Sequence, residues 1–179
     1  MKSIKIMFAV CSFGALISAC TQSNSSSQND SSTPDSIEAV PQKAVLKDSD
    51  VNSVYSNYID LKNALVSAKS SEAQTASAKL SDALLKIKGC ETTSELAGKI
   101  SASSDLKSQR SDFTVLSADI IALMKNSEIE SGTLYVQYCP MANSGNGGSW
   151  LASNSEIRNP YFGDEMMNCG EVKEEFKKK

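Results

Sequence analysis

The sequence predicts a mainly α protein: an up-down four-helix bundle with a short strand and an irregular C-terminal segment packed against it. Three observations point there. Apolar residues recur at three- and four-residue steps from Val51 to Met124. The connections between these runs are short, which favours antiparallel neighbours. After Gly132 the period changes to alternation. With 40% apolar residues but 6% aromatics, the core is expected to be mostly aliphatic, as packed helices require.

Residues 1–19 read as a signal peptide. Lys2 and Lys5 form a positive start, and Ile6 to Ala19 is an apolar run too short for the roughly 20 residues that span a bilayer. Ile17 to Cys20 (ISAC) resembles the lipobox of bacterial lipoproteins. The resemblance implies cleavage before Cys20 and lipidation of its thiol; the alternative is an ordinary secretory signal. Three acyl chains, at about 0.8 kcal/mol per buried CH₂, hold a protein on a membrane durably. Thr21, where an inner-membrane retention signal would have Asp, points to the outer membrane, facing the periplasm. Residues 20–42 comprise that Cys and a Ser/Asn/Gln-rich tether with Pro34 and Pro41, too polar to offset chain entropy by burial. Such a tether reaches about 25 Å. Residues 43–179 form the expected domain.

The first helix is expected from an N-cap at Ser49 or Asp50, with Val51, Val54, Tyr55, Tyr58, Leu61, Leu65 and Ala68 on its buried face. A second opens at a capping box, Ser71 to Gln74, buries Ala73, Ala76, Leu80, Ala83, Leu84 and Ile87, and stops at Gly89. The third opens at Thr92 to Glu95 and carries Leu96 and Ile100. The fourth begins at Asp105 or Ser108, with Leu106, Phe113, Leu116, Ile120, Leu123 and Met124 on one face. Thr133 to Cys139 reads as a strand, with Leu134, Val136 and Tyr138 on one side and Tyr135, Gln137 and Cys139 on the other. A Gly/Asn turn at 143–148 follows. Asp164 is expected to cap one helical turn through Met166 and Met167, and the lysines at 177–179 read as a solvated end.

Composition excludes several functions. The chain has no His, which removes Ser-His-Asp and Cys-His catalysis and every imidazole metal site. No CxxC pair suggests a thiol oxidoreductase. An enzyme is therefore not expected. The formal charge of −3 argues against a nucleic-acid partner.

Chemistry gathers in the last forty residues. With Cys11 removed and Cys20 lipidated, Cys90, Cys139 and Cys169 remain, an odd number in an oxidising compartment. Cys139 and Met141 flank Pro140, and Met166, Met167 and Cys169 fall within four residues. Two thiolates with thioethers would suit a soft ion such as Cu(I). The candidate ligands are Cys139, Met141, Met166 and Cys169, with Met167 in reserve. Met166 is preferred because a residue three before Cys169 on a helical turn shares its face. Trp150 is either a cation–π lid over the ion or ordinary core. The competing reading is a Cys139–Cys169 disulfide, closing a loop of about 30 residues worth roughly 3–4 kcal/mol, with the Met residues as core. Arg158 is expected to bridge to Asp164 or Glu171, and Tyr161 and Phe162 to plug the space between segment and bundle.

Four segments carry a further resemblance: Leu134 to Ala142 (LYVQYCPMA), Gly148 to Leu151 (GSWL), Glu156 to Asp164 (EIRNPYFGD) and Met166 to Val172 (MMNCGEV). Together they resemble the bacterial domain of unknown function 3347 family, over roughly Asp50 to Lys173. Similar proteins are free lipoproteins, and related segments are appended to adaptor subunits of copper/silver efflux pumps. The resemblance implies heavy-metal handling and an efflux adaptor or other envelope protein as partner. A His pictured in the family's third helix is absent here, where that helix has Glu95 and Cys90 lies just upstream. The expected function is a membrane-anchored lipoprotein that binds Cu(I) or Ag(I). The alternative is a structural or interaction module pinned by the disulfide.

Overall fold

The structure is a computed structural model that describes residues 43–178. The expected signal peptide (1–19), Cys20 and the expected tether (to residue 42) lie outside the described residues. The domain is mostly helical with antiparallel strands. After the short strand β1 (Val45–Leu46) come α1 (Ser49–Val66), α2 (Ser70–Leu84), α3 (Glu91–Ala102) and α4 (Leu106–Lys125). Then follow β2 (Ile129–Ser131), β3 (Thr133–Cys139), the single turn α5 (Ala142–Gly145), β4 (Gly148–Ala152), a 3₁₀ turn at Gly163–Glu165, and β5 (Glu171–Lys177).

The helices start close to where the periodicity places them, but some caps differ. Asp48 caps α1, its carboxylate accepting the Asp50 and Val51 amides at 2.8 and 3.1 Å. Asp105 caps α4 through the Ser108 amide at 2.9 Å, as expected. The capping box for α2 is not formed. That helix begins at Ser70 without a side-chain cap, and Gln74 instead donates to the Ser101 carbonyl at 3.1 Å. A glutamine that reaches the next helix satisfies a half-buried carbonyl near the end of α3 and ties the two helices together. Ala68 is not core: it follows α1 with φ 54° and lies exposed.

Each helix packs on its successor, and α4 also packs on β4. The core is continuous through both layers. Leu61, Leu65, Leu80, Leu84, Ile100, Leu116 and Ile120 are fully buried, and Leu134, Trp150 and Leu151 join them. Ala97, which the stripe on α3 omits, is also fully buried.

The three-stranded sheet has the order β4-β3-β5, all antiparallel, while β1 pairs with β2. Strand β3 has the bounds that alternation predicts. Strand β5 is an element the sequence did not suggest: Lys177 pairs with Thr133 and Phe176 with Leu134, while Lys177 and Lys178 are exposed, as a solvated end requires. Its charged sequence hides the strand because most of its side chains face water. Among the described residues no helix is long and apolar enough to cross a membrane.

Candidate functional site

The central question is whether two stretches distant in sequence bring their sulfurs together. They do. Cys139 Sγ and Cys169 Sγ lie 2.6 Å apart. Cys139 ends β3 opposite Gly148 of β4 and is fully buried; Cys169 is half-buried. Contact with Cys139, and secondarily burial, pushes the Cys169 thiol above its ordinary range, while the Met141 backbone amide acts in the opposite sense. Cys90, at the start of α3, is a third free thiol that burial, with Glu91 and Asp119 nearby, pushes up.

Three devices bring Cys169 to the end of β3. The first is Asn159, fully buried, with all its polar groups used. Its side-chain amide donates to the Cys169 carbonyl at 2.8 Å, and its backbone amide donates to the Met167 carbonyl at 2.8 Å. Its side-chain oxygen accepts the Tyr161 amide at 2.8 Å, and its own carbonyl accepts the Gly163 amide at 3.0 Å. The second is a turn in which the Cys169 amide donates to the Met166 carbonyl at 3.1 Å. The third is Gly170, at φ 147°. A Cβ there would come within 2.9 Å of both the Trp150 ring and the Tyr138 carbonyl, so only glycine lets the chain pass this close to β3.

Behind the thiols is a buried polar and aromatic scaffold. Trp150 Nε1 donates to Gln137 Oε1 at 2.7 Å, and Gln137 Nε2 donates to the carbonyls of Asn154 and Glu156 at 3.1 and 3.0 Å. Thus Gln137 is buried beneath the loop after β4, whose carbonyls it serves. Trp150 meets Tyr161 edge-on at 6.0 Å, Tyr161 meets Phe113 at 5.7 Å, and Phe113 stacks on Tyr58 at 5.4 Å. This column ties the sheet to α4 and α1. Tyr161 is the plug the sequence suggests, its hydroxyl donating to the Ser149 carbonyl at 2.9 Å. Trp150 is core, fully buried.

The other candidates fall as follows. Met141 follows Cys139 by two residues and is 54% exposed. Met166 and Met167 are half-buried in the turn before Cys169. The helical-face argument for Met166 does not apply, because the 3₁₀ turn ends at Glu165 and Met166 itself has φ −147°. Asp164 lies within that turn and does not cap it. Arg158 reaches Glu156 at 3.7 Å, not Asp164 or Glu171, and both partners are exposed. Among the described residues, no group of three His, Cys, Asp or Glu side chains could share a metal. A groove of about 810 Å³ lined by Lys47, Lys125, Glu128, Ile129, Phe176 and Lys178 shares none of the site residues.

Sequence reasoning missed Asn159, Gln137 and Gly170. Gln137 left a trace as a polar residue on the same strand face as Cys139, and Asn159 and Gly170 fall within the resemblance segments EIRNPYFGD and MMNCGEV without a role assigned to either.

Fold and site define a helical domain with an antiparallel sheet, at one end of which two thiols from separate segments meet. Over residues 54–132 the chain matches the model of the family described as "Protein of unknown function (DUF3347)". The matched stretch runs from within α1 to just past β2 and stops before the thiol pair. No curated protein and no solved structure matches.

Proposed function

We propose that this chain is a lipoprotein, tethered through Cys20 to the outer membrane facing the periplasm, whose domain takes up Cu(I) or Ag(I) as cargo. Cys139 and Cys169 are the primary ligands, with Met141 and Met166 as thioether donors and Met167 in reserve. The ion is held for heavy-metal homeostasis or passed to an efflux adaptor or another envelope protein. The protein is not an enzyme in this reading. Its helices form an up-down four-helix bundle, a reading supported by the short connections and the packing of each helix on the next.

The observation that supports metal uptake is the meeting of two thiols, with Met141, Met166 and Met167 within three residues of them along the chain. Thiolate and thioether sulfur favour soft monovalent ions, and the lack of imidazole disfavours competition by zinc. The buried scaffold behind the pair limits rearrangement on binding, and the exposed Met141 offers an outward-facing soft donor.

A second reading has its own support. At 2.6 Å the sulfurs are close to the roughly 2.05 Å of a disulfide, and an oxidising compartment favours that bond. The domain would then be a pinned docking module. The test is titration with Ag(I), under anaerobic conditions, of the reduced full chain carrying Ser in place of Cys11, Cys20 and Cys90. One ion per chain, lost in Cys139→Ser and weakened in Met166→Leu, is expected. No uptake by the reduced chain, together with a bridge that survives mild reductant, overturns the metal reading in favour of the module.

A further inference from the structure

The two thiols are not equivalent. Cys139 is fully buried: Gly148 lies opposite it on β4, and the Tyr161 ring lies so close to Gly148 that a Cβ there would sit 2.7 Å from it. Cys169 is half-buried and follows a turn whose Asn168 is exposed. A reagent from solvent therefore meets Cys169 first, with Cys139 directly behind it.

We propose that Cys169 is the entry thiol for exchange with low-molecular-weight disulfides, and that Cys139 resolves the adduct. In the first step the Cys169 thiolate attacks one sulfur of the external disulfide. A Cys169–S–S–R bond forms, the external S–S bond breaks, and one RS⁻ leaves. In the second step the Cys139 thiolate attacks Cys169 Sγ, the mixed disulfide breaks, and the second RS⁻ leaves on the solvent side. Two protein thiols are oxidised by two electrons, the external disulfide is reduced to two thiols, and these take up the two protons released. Rates of such exchange depend on access to the attacking sulfur and on which sulfur is attacked. The burial difference sets the first, and the 2.6 Å contact sets the second. The bridged form has no thiolates to offer a soft metal, so this reaction would also decide when the site can load. The inference rests on the thiol pair and not on metal uptake.

The test uses the full chain with Cys11, Cys20 and Cys90 replaced by Ser, fully reduced and then exposed to glutathione disulfide. The Cys139→Ser variant is expected to accumulate one glutathione on Cys169. The Cys169→Ser variant should react at least about tenfold more slowly. The parent should lose both thiols without retaining glutathione. Equal rates in the two variants, or faster reaction of Cys169→Ser, overturn the proposal. A control on the parent alone avoids any dependence on variant folding: a limiting pulse of iodoacetamide, read by peptide mass, should label Cys169 well ahead of Cys139, and equal labelling overturns the proposal. Failure of silver binding alongside a normal exchange pattern would sink the metal reading and leave this one standing.

Discussion

The helical layer and the C-terminal layer are held together in different ways. Between α1 and α4 the interior is filled mainly by Leu, Ile, Val and Ala, with Tyr55, Tyr58, Phe113 and Met124 among them, and with polar side chains such as Ser77 and Gln109 returning to nearby carbonyls (Ser77 to Ala97, 2.7 Å). Such a layer tolerates volume-conserving exchange. Between β3 and β5 the structure depends on single groups without substitutes: Asn159 spanning two carbonyls, Gln137 joining Trp150 to a loop, and Gly170 squeezed against an indole. Stability there comes from position more than from quantity of buried surface. A site that must hold two sulfurs in one place is better built on the second kind of layer, because its supporting atoms have few alternatives.

The sharpest way to break this comparison is Gly170→Ala. The added Cβ would meet the Trp150 ring and the Tyr138 carbonyl at 2.9 Å, in a backbone conformation with φ 147° that side-chain-bearing residues avoid. Strain and overpacking together predict a loss of about 3 kcal/mol or more in urea unfolding. A loss below about 1 kcal/mol would mean that the segment before β5 yields easily, and that the thiols are not held by it.

How much of this was legible beforehand follows the same division. The buried stripes of α1, α2 and α4 and the bounds of β3 could be read from spacing, because their periods follow from local geometry and burial on one side. Even the convergence of Cys139 and Cys169 was suggested by the clustering of sulfur. What could not be read was β5, whose sequence EVKEEFK has mostly exposed side chains and whose pairing with β3 is made by backbone atoms. Nor could Asn159 be read, since a polar residue beside a proline looks like a turn until the carbonyls it serves are known. The Ser71–Gln74 capping box failed for a related reason: its glutamine had a better partner on another helix.

Lys62 tests the seam between the layers. It lies on α1 at 5% exposure, near Arg158 and Glu156 of the loop after β4. Burial, aided by Arg158 and opposed by Glu156, lowers its pKa from 10.5 to about 8. Above about pH 8 the folded chain releases this proton, while the unfolded chain keeps it until about pH 10.5, so the unfolded state binds more protons and stability rises with pH. Between pH 8 and about pH 9.5 the gain should be about 1.5 kcal/mol. Burial pushes Tyr55, Tyr58 and Tyr161 above the ordinary phenol range, so their contribution has the opposite sign and enters only at higher pH. In Lys62→Met the rise should vanish and the neutral-pH stability should increase. A slope unchanged by that substitution would place the ammonium in contact with water and leave the seam looser than the geometry indicates.

The smallest effect is also the most direct contrast. Gly98 sits inside α3, and a Cβ added there has only Ser81 Oγ nearby, at 4.0 Å, an ordinary contact. Nothing in the backbone calls for glycine at this position, and glycine inside a helix costs roughly 0.5–1 kcal/mol relative to alanine because the unfolded chain is freer. Gly98→Ala should therefore stabilise the domain by about that amount, while the same exchange at Gly170 destabilises it severalfold more. Thermal unfolding of both variants, measured side by side, is the check. If Gly98→Ala also destabilises, the α2–α3 contact is as tightly fitted as the sheet, and the distinction between a forgiving helical layer and an exacting C-terminal one does not hold.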